Sequence, residues 1–461
     1  MKKITLYGLL SLVLLGVTSS CNKLLEVTPE GETLVADAIK NKGDLQKLLN
    51  SCYDVMANSM NGRTQLFSEL LGDNVDQPFN NDDFREIYTR SSNFFNTTIG
   101  SLYADFYICV YRVNILNKEV DNLQDLTETD KTQFLAEGSF LRALAHFELV
   151  KLWAQPYGYT PDNSHLGIAL RREPSQEPIS RSTVAETYAY ILEDLNFAYA
   201  NLPEGKLQAY ASKDAARALL AKVYFQMNDF ENAAKYADEV LSSNRYPLSN
   251  AINRFDNDSA ASEYIFAFIS TSNTDNRAGA FIDNCRSDNN ATPQIRLSNE
   301  LYTLITQRPS DRRNSLVDVA NPGTENEFYA ITKFNKDYFS LPYLHTTEMK
   351  FIRAESLAEL NQNLSTAIDD LNEVMDRAYG PGVVNLNPGA QAQEIITAAR
   401  SERRLEFFCE GDRTHNLKRI GAKEGNVLIR QALWNCNGMV LQFPISETTT
   451  GFQLNPEGGC N

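Results

Sequence analysis

The sequence predicts a mainly α-helical protein, in which about four helical hairpins form a scaffold that carries long irregular insertions and a few short strands. Apolar residues recur at intervals of three and four between positions 212 and 241, and a weaker copy of this pattern follows between 351 and 375. By contrast, the segments 57–101 and 245–345 are rich in Asn, Asp and aromatic residues and lack a helical period. Because an isolated hairpin cannot cover its own apolar face, the hairpins must stack on one another.

The most regular hairpin lies between positions 212 and 241. Ser212 is a good N-cap, and Asp229 caps a second helix after a short break in the pattern. The apolar face of the first helix consists of Ala216, Leu220, Val223 and Met227, and that of the second consists of Ala233, Ala237 and Val240. So short a turn requires the helices to be antiparallel, and the alanines let them approach closely. The pattern resembles that of tetratricopeptide repeats.

Other segments carry weaker local signals. The copy over 351–375 predicts a second hairpin. Residues 130–154 and 183–201 are long enough to form two further helices, and the second of these begins with a capping box at Thr183. The short alternating run 264–269 predicts a strand.

The N-terminus has the layout of a secretory signal peptide. Lys2 and Lys3 are followed by an apolar run over 4–17 and by small residues that lead to Cys21. The apolar run is too short to span a bilayer comfortably. A cysteine at the cleavage point predicts a bacterial lipoprotein, in which Cys21 is acylated and becomes the lipid anchor. The alternative is an ordinary secreted protein in which Cys21 is incidental.

We expect residues 1–20 to be removed and residues 21–461 to form one domain, with an N-terminal part over about 21–245 and a C-terminal part over about 246–461. The formal net charge of −16 argues against nucleic acid and against binding to anionic lipid headgroups by charge. Attachment to a membrane would therefore depend on the lipid anchor.

Six cysteines remain besides Cys21, namely Cys52, Cys109, Cys285, Cys409, Cys436 and Cys460. In an exported chain they could form disulfides in many pairings. The pair that the spacing favours is Cys436 with Cys460, because both lie in a short, loop-rich tail. Buried free thiols are the equally simple alternative.

Signals of catalysis or of a cofactor are sparse. The sequence contains no H-E-x-x-H, G-x-S-x-G, P-loop or G-x-G-x-x-G motif. His146 lies in an apolar helix, where we expect it to be a satisfied core residue. The oxygen-rich runs 73–76 and 256–258 could hold a structural Ca²⁺, but neither continues as an EF-hand loop. We therefore expect no cofactor.

Several segments, in order along the chain, resemble the SusD/RagB family of outer-membrane nutrient-binding lipoproteins. These segments are residues 21–26, 136–153, 351–357, 402–413 (ERRLEFFCEGDR), 441–445 (LQFPI) and 455–456. The resemblance implies a helical domain with tetratricopeptide-like hairpins and a looped face that binds glycan. It also implies a non-catalytic, lipid-anchored protein on the surface of the outer membrane. Its partners would be an oligosaccharide and a SusC-like TonB-dependent transporter, which it covers as a lid.

The charged segment 402–413 has two interpretations. Its acidic side chains could supply a pair of catalytic carboxylates, as in a glycoside hydrolase. We favour a structural ion-pair network instead, because arginines alternate with the acids at helical spacing and such pairing lowers the pKa of a carboxylate. The predicted network consists of Arg403, Arg404, Glu406, Glu410, Asp412 and Arg413.

A glycan site needs flat aromatic rings beside amide and charged groups, because a pyranose has apolar C–H faces and a rim of hydroxyls. Trp153 is expected in the core, so we expect Tyr and Phe of the two irregular segments to supply the rings. The residues that we select are Phe79, Arg85, Tyr88, Phe94 and Phe95 in the first segment and Arg286, Asn289, Tyr338, Phe339 and Tyr343 in the second. No family motif fixes these positions, and loop packing is the alternative for each. The alternative functions are a protein–protein adaptor and, less strongly indicated, a helical glycoside hydrolase.

Overall fold

The computed structural model describes residues 38–78, 80–175, 177–205, 208–289 and 291–460. In chain order, the helices are α1 (Lys42–Ser59), α2 (Arg63–Leu71), α3 (Asp82–Tyr88), α4 (Thr97–Glu119), α5 (Glu128–Trp153), α6 (Val184–Asn201), α7 (Lys213–Gln226), α8 (Phe230–Leu241), α9 (Asn257–Ala260), α10 (Gly279–Cys285), α11 (Asn299–Thr306), α12 (Thr346–Glu359), α13 (Leu364–Tyr379), α14 (Ala392–Glu406) and α15 (Arg413–Glu424). The signal peptide and Cys21 lie outside the described residues.

The scaffold consists of stacked helix pairs, which confirms the predicted fold class. The described pairs are α1 with α4, α5 with α6, α7 with α8, and α12 with α13. They form a continuous stack, because α4 packs on α5, α6 on α7, and α8 on α12. The predicted caps are present: the Ser212 side chain accepts the Ala215 amide, and Thr183 and Glu186 form a reciprocal capping box.

The expectation of irregular structure throughout 57–101 is wrong, since α2, α3 and the start of α4 lie there. Residues 245–345 likewise contain α9, α10 and α11. Several of the helices in these segments begin at polar residues that suggest loops by composition. Asn81, Asn96 and Ser298 are N-caps, and their side chains accept backbone N–H groups of the first turn.

Short antiparallel strands complete the described fold. They are β1 (Tyr264–Phe268), β2 (Val317–Ala320), β3 (Phe328–Ile331), β4 (Leu341–His345), β5 (Leu428–Ile429) and β6 (Ala432–Leu433). β1 pairs with β4, β2 with β3, and β5 with β6. Every residue of β1 and β4 is buried, which places this pair inside the core. The strand predicted at 264–269 is therefore confirmed.

Two arginines cap the C-terminus of α2. The Arg90 guanidinium donates to the carbonyls of Leu71 (3.2 Å) and Ile429 (2.8 Å). The Arg430 guanidinium donates to the carbonyls of Leu70 (3.0 Å) and Tyr88. Cations are favoured at this end of a helix, whose last carbonyls have no partner within it. These bonds attach the segment after α3 and the β5–β6 hairpin to α2.

The C-terminal tail packs back onto the N-terminal helices. The Asn455 amide donates to the carbonyls of Trp153 (2.9 Å) and Leu441 (2.8 Å). The Gln442 side chain accepts the Asn455 backbone amide at 3.0 Å and donates to its carbonyl at 2.8 Å. The Trp153 indole in turn donates to the Gln442 carbonyl at 3.2 Å. The LQFPI and Asn-Pro segments therefore form one hydrogen-bonded lock.

The tail also contains the disulfide that the sequence favours. Cys436 and Cys460 are joined, with their Cα atoms 5.1 Å apart. The remaining described cysteines are free and buried, as in the alternative interpretation; they are Cys52, Cys109, Cys285 and Cys409.

Candidate functional site

The two irregular segments meet in a small β-ribbon. Val75 bridges Leu297, and Leu297 in turn bridges Tyr329 in β3. The Asp76 amide donates to the Arg296 carbonyl at 3.0 Å. Since β3 also pairs with β2, four short extended pieces lie side by side. We call this arrangement the ribbon; it comprises residues 74–76, 296–298, 317–320 and 328–331.

Half-buried aromatic rings accompany charged groups on the ribbon. The Arg296 guanidinium lies over the Phe328 ring at 4.2 Å from its centroid. Tyr302 stacks on Tyr329, with centroids 4.3 Å apart and an interplanar angle of 18°. Burial raises the pKa of the Asp76 carboxyl, and Arg296 opposes this effect. Because successive residues of a strand point to opposite faces, Phe328, Arg296 and Asp76 share one face of the ribbon and Tyr329 lies on the other. The Phe328 ring beside an acid and a guanidinium is suited to the apolar face and the hydroxyl rim of a sugar.

The first set of predicted glycan residues lies around α3 and the loop that follows it. Arg85 is exposed and pairs with Asp82 at 2.5 Å. The Arg430 guanidinium covers the Tyr88 ring at 3.8 Å. Phe94 contacts Phe95 at a centroid distance of 4.4 Å, and 66% of Phe95 is exposed. Phe79 lies outside the described residues.

The second set is divided between the surface and the interior. The Arg286 guanidinium pairs with Asp288 and, at 2.9 Å, with Asp337. Asn289 is exposed beside this group, and Tyr338 is partly exposed. Phe339 is fully buried and packs on the rings of Phe255, Phe281 and Phe334.

Tyr343 is also buried, at the wall of an internal polar cavity. Its hydroxyl donates to Glu148 at 2.5 Å, and the Lys222 ammonium lies 4.5 Å from its ring centroid. The cavity of about 70 Å³ is also lined by Asp412 and His415. In this structure Phe339 and Tyr343 therefore present no ring to the surface.

The ribbon brings the two segments together, but at residues that the sequence analysis does not select. Arg296, Tyr302, Phe328 and Tyr329 belong to it or pack against it. Their only sequence signal is the presence of aromatic residues within the polar segment 245–345. The pairing of positions 75 and 297 has no local sequence signal.

The predicted charged network has Glu406 at its centre. Glu406 is buried and contacts three guanidiniums: Arg377 at 2.5 Å, Arg254 at 2.9 Å and Arg313 at 3.6 Å. Burial opposes ionisation of Glu406, but the charges of Arg377, Arg254 and Arg313 outweigh it and hold its pKa below the usual range. A carboxylate held ionised in this way is a poor proton donor.

The other predicted members are also in ion pairs. The contacts are Arg403 with Asp412 (2.6 Å) and Glu348 (3.0 Å), Glu410 with Lys333 (2.7 Å) and Arg254 (2.8 Å), Arg404 with Glu300 (2.8 Å), and Arg413 with Asp73 (2.8 Å). Asp73 follows α2, so these pairs connect the end of α14 to the N-terminal part of the chain. Phe407 and Phe408 are buried beside them.

Other chemistry in the described residues is limited. No group of three or more His, Cys, Asp or Glu side chains in the described ranges is arranged to hold a metal ion. Asp73, in one of the oxygen-rich runs, pairs with Arg413. His146 is buried, but the expectation that it is satisfied is wrong, because neither ring nitrogen has a hydrogen-bond partner. No helix in the described ranges is both long and apolar enough to cross a membrane.

Comparisons with known proteins agree with the fold. A family model described as "Starch-binding associating with outer membrane" matches residues 23–225, and the model of the SusD family matches residues 323–450. A SusD-like protein of Formosa agariphila is 24% identical over 89% of this chain and 90% of its own length.

Solved structures are similar over most of the chain. The crystal structure of a SusD superfamily protein from Bacteroides thetaiotaomicron has a TM-score of 0.78 at 20% identity, with 90% of this chain and all of that chain covered. A laminarin-binding SusD-like protein has a TM-score of 0.73 at 22% identity and covers 91% of this chain. Because the two family models together span most of the sequence, the chain belongs to the SusD/RagB family.

Proposed function

We propose that this protein is a non-catalytic surface lipoprotein that captures an oligosaccharide and delivers it to a SusC-like TonB-dependent transporter in the outer membrane. The observation that carries the proposal is the ribbon, where the two long insertions of a SusD-family fold meet and place the Phe328 ring beside the Arg296 guanidinium and the Asp76 carboxyl. The description of the matching family model and the laminarin-binding neighbour support a glycan as the ligand.

The charged segment supports a binding role over hydrolysis. A glycoside hydrolase needs one carboxyl group that can donate a proton and a second that can act as base or nucleophile. Here Glu406 is held ionised by three arginines, and Glu402 bonds Arg313 at 2.9 Å and the Tyr379 hydroxyl at 2.8 Å. Neither carboxylate is available to a substrate in this arrangement.

A glycan panel measured by calorimetry tests the binding role. Affinity should be poor for a monosaccharide and should rise with oligosaccharide length, because each exposed contact is weak and contacts accumulate. Combined alanine replacement of Phe328 and Arg296 should lower the affinity about tenfold. Tyr210→Ala, at an exposed ring elsewhere, is the matched control. Equal affinity for monosaccharide and oligomer would contradict the proposal.

The anchor is tested by fractionation. The wild-type protein should partition with membranes, because the acyl chains of a lipoprotein cysteine suffice for stable anchoring. Cys21→Ser should be found in soluble fractions. Retention of this variant on salt-washed membranes would show that Cys21 is not the anchor.

The transporter partner is tested by co-purification in detergent. The helical hairpins should face the barrel and leave the looped side free to hold ligand against it. Stable co-elution of the lipoprotein with its SusC-like transporter is the expected result. A lipoprotein that never co-elutes with an intact barrel would favour the adaptor or a free binding protein.

A further inference from the structure

Two adjoining clefts lie at the C-terminal tail, away from the ribbon. The larger has a volume of about 380 Å³ and is bounded on one side by residues 89–93. The smaller has a volume of about 220 Å³ and is bounded by Tyr159, His165 and Arg181. Both clefts are lined by Asn437, Val440, Asn455 and Pro456. The two clefts therefore lie side by side along the tail.

The shared wall of the clefts is held in place by several bonds. The disulfide between Cys436 and Cys460 closes the tail on itself. Asn455 is fixed by the amide of Gln442 and by the carbonyl of Trp153. A wall held in this way is formed before a ligand arrives, which reduces the entropy that binding costs.

The smaller cleft has an aromatic ring and an unused hydrogen-bond acceptor. Tyr159 is 39% exposed, and its ring is held edge-on by His165 (5.0 Å) and Trp434 (6.2 Å). The Gln155 amide nitrogen donates to the Asn435 carbonyl at 3.0 Å, while its buried oxygen has no partner. Because this oxygen is enclosed, the part of the cleft that a ligand can reach is the exposed side of the Tyr159 ring.

The same cleft contains a guanidinium that bonds only uncharged groups. Arg181 donates to the carbonyls of Gly167 (2.7 Å), Leu166 (3.0 Å) and Gln453 (3.1 Å) and to the side-chain oxygen of Asn455 (3.0 Å). These bonds use four of the five N–H donors of an arginine. No carboxylate within the described ranges forms an ion pair with Arg181. The carboxylate that lines the larger cleft, Glu457, is exposed.

We propose that these clefts form a second saccharide-binding site that takes an acidic sugar unit, with its carboxylate or sulfate toward Arg181 and its ring beside Tyr159. A charge-assisted bond from a guanidinium to an anion is stronger than the bonds that neutral sugars make. Only the saccharide class of the ligand rests on the proposed function. The site itself shares no residue with the ribbon.

The test compares an acidic tetrasaccharide of galacturonate with a neutral tetrasaccharide of galactose, by calorimetry on the full chain. Arg181→Lys keeps the charge but loses the internal bonds that hold the guanidinium at the cleft, and it should weaken binding of the acidic probe about tenfold. Tyr159→Ala should weaken the acidic probe several-fold, because it removes the ring without a buried bond. Phe197→Ala, also 39% exposed, is the matched control and should have no effect.

The outcomes separate this proposal from the proposed function. If a thermal melt shows that Arg181→Lys alters stability, the cleft site is judged only from the affinity of Tyr159→Ala for the acidic probe. Loss of binding by the ribbon variants only, with both cleft variants at wild-type affinity for the acidic probe, overturns the cleft site and leaves the glycan-binding function intact. A wild-type protein that binds neither probe nor any glycan of the panel overturns both. Weaker binding at high salt for the acidic probe alone supports the site.

Discussion

His146 in α5 is fully enclosed, and its ring lies 5.6 Å from that of Tyr190, although neither ring nitrogen has a partner. Burial lowers the pKa of His146 to about 3, and the positive charges of Arg142 and Arg172 add to this effect. The helical pattern around position 146 predicts burial. It contains no information on hydrogen bonds, because partners are supplied by elements distant in the sequence.

Replacing His146 by leucine should stabilise the protein, more so at acid pH. The fold holds the His146 ring neutral, whereas the same ring is free to take up a proton in the unfolded chain. The wild-type protein is therefore fully stable above the unfolded pKa near 6.5 and loses stability as pH falls toward 3. His146→Leu should gain about 1 kcal/mol at pH 7 and about 2 kcal/mol more at pH 5. Urea unfolding at the two pH values measures this gain.

A histidine with partners provides the control for that experiment. His165 bonds the Thr160 hydroxyl (2.9 Å) and the Gln155 carbonyl (3.1 Å), so His165→Leu should destabilise the protein. If the stability difference between His146→Leu and wild type were the same at pH 5 and pH 7, the assignment of the acid sensitivity to His146 would be incorrect.

The second prediction at the residue scale concerns Gln431. It follows Arg430 in the two-residue turn between β5 and β6, and both have positive φ angles, 68° and 47°. This turn favours glycine. Gln431 is exposed, so Gln431→Gly should stabilise the fold by about 1 kcal/mol in urea unfolding. Arg430→Gly should instead destabilise it, since Arg430 caps α2. Equal effects of the two variants would contradict this account.

At the scale of elements, the sequence predicts a helix when apolar residues recur at helical spacing over several turns. α7 and α8 have clear caps and apolar faces, and both lie where predicted. The same reasoning applies to α4, because Ile99, Phe106 and Val110 mark its buried face. The short helices α2, α3, α10 and α11 have too few turns for a period to be recognised, and the Asn81 and Ser298 caps of α3 and α11 resemble loop composition.

The candidate site was predicted less completely than the scaffold. The sequence selects aromatic residues in the two insertions by residue type. Residue type does not determine exposure: Tyr338 is partly exposed, whereas its neighbour Phe339 is fully buried. The ribbon depends on contact between Val75 and Leu297, which local patterns cannot show because the contact is set by the packing of the whole chain.

The end of α14 provides a prediction at the element scale. Glu406→Ala should leave Arg254, Arg313 and Arg377 buried without their shared carboxylate, at a cost of about 3–5 kcal/mol. Denaturant unfolding measures this loss. Arg85→Ala, which breaks only an exposed pair with Asp82, is the control and should change stability by less than about 0.5 kcal/mol. Similar losses for the two variants would show that the Glu406 cluster adds no more than a surface pair.

At the scale of the whole molecule, the C-terminal tail packs on α5 and is closed by a disulfide. Cys460→Ser should reduce the free energy of unfolding by about 3 kcal/mol, because the bond to Cys436 restricts a loop of 24 residues in the unfolded chain. Thermal melts with and without reductant check this. Wild type should lose stability when reduced, and the variant should not respond to reductant. A reductant effect that persists in Cys460→Ser would assign it to another pair of cysteines.

The lock between Gln442 and Asn455 also bears on the order in which the protein folds. Trp153, at the end of α5, has its carbonyl and indole nitrogen bonded only when these late residues arrive. Likewise, the bond from the Arg181 guanidinium to the Asn455 side chain forms only when Asn455 is present. The bonds that Trp153 and Arg181 make with residues 442–455 can therefore form only after these residues are available. For a protein that we propose is exported, the tail can dock on α5 only after these residues have crossed the inner membrane.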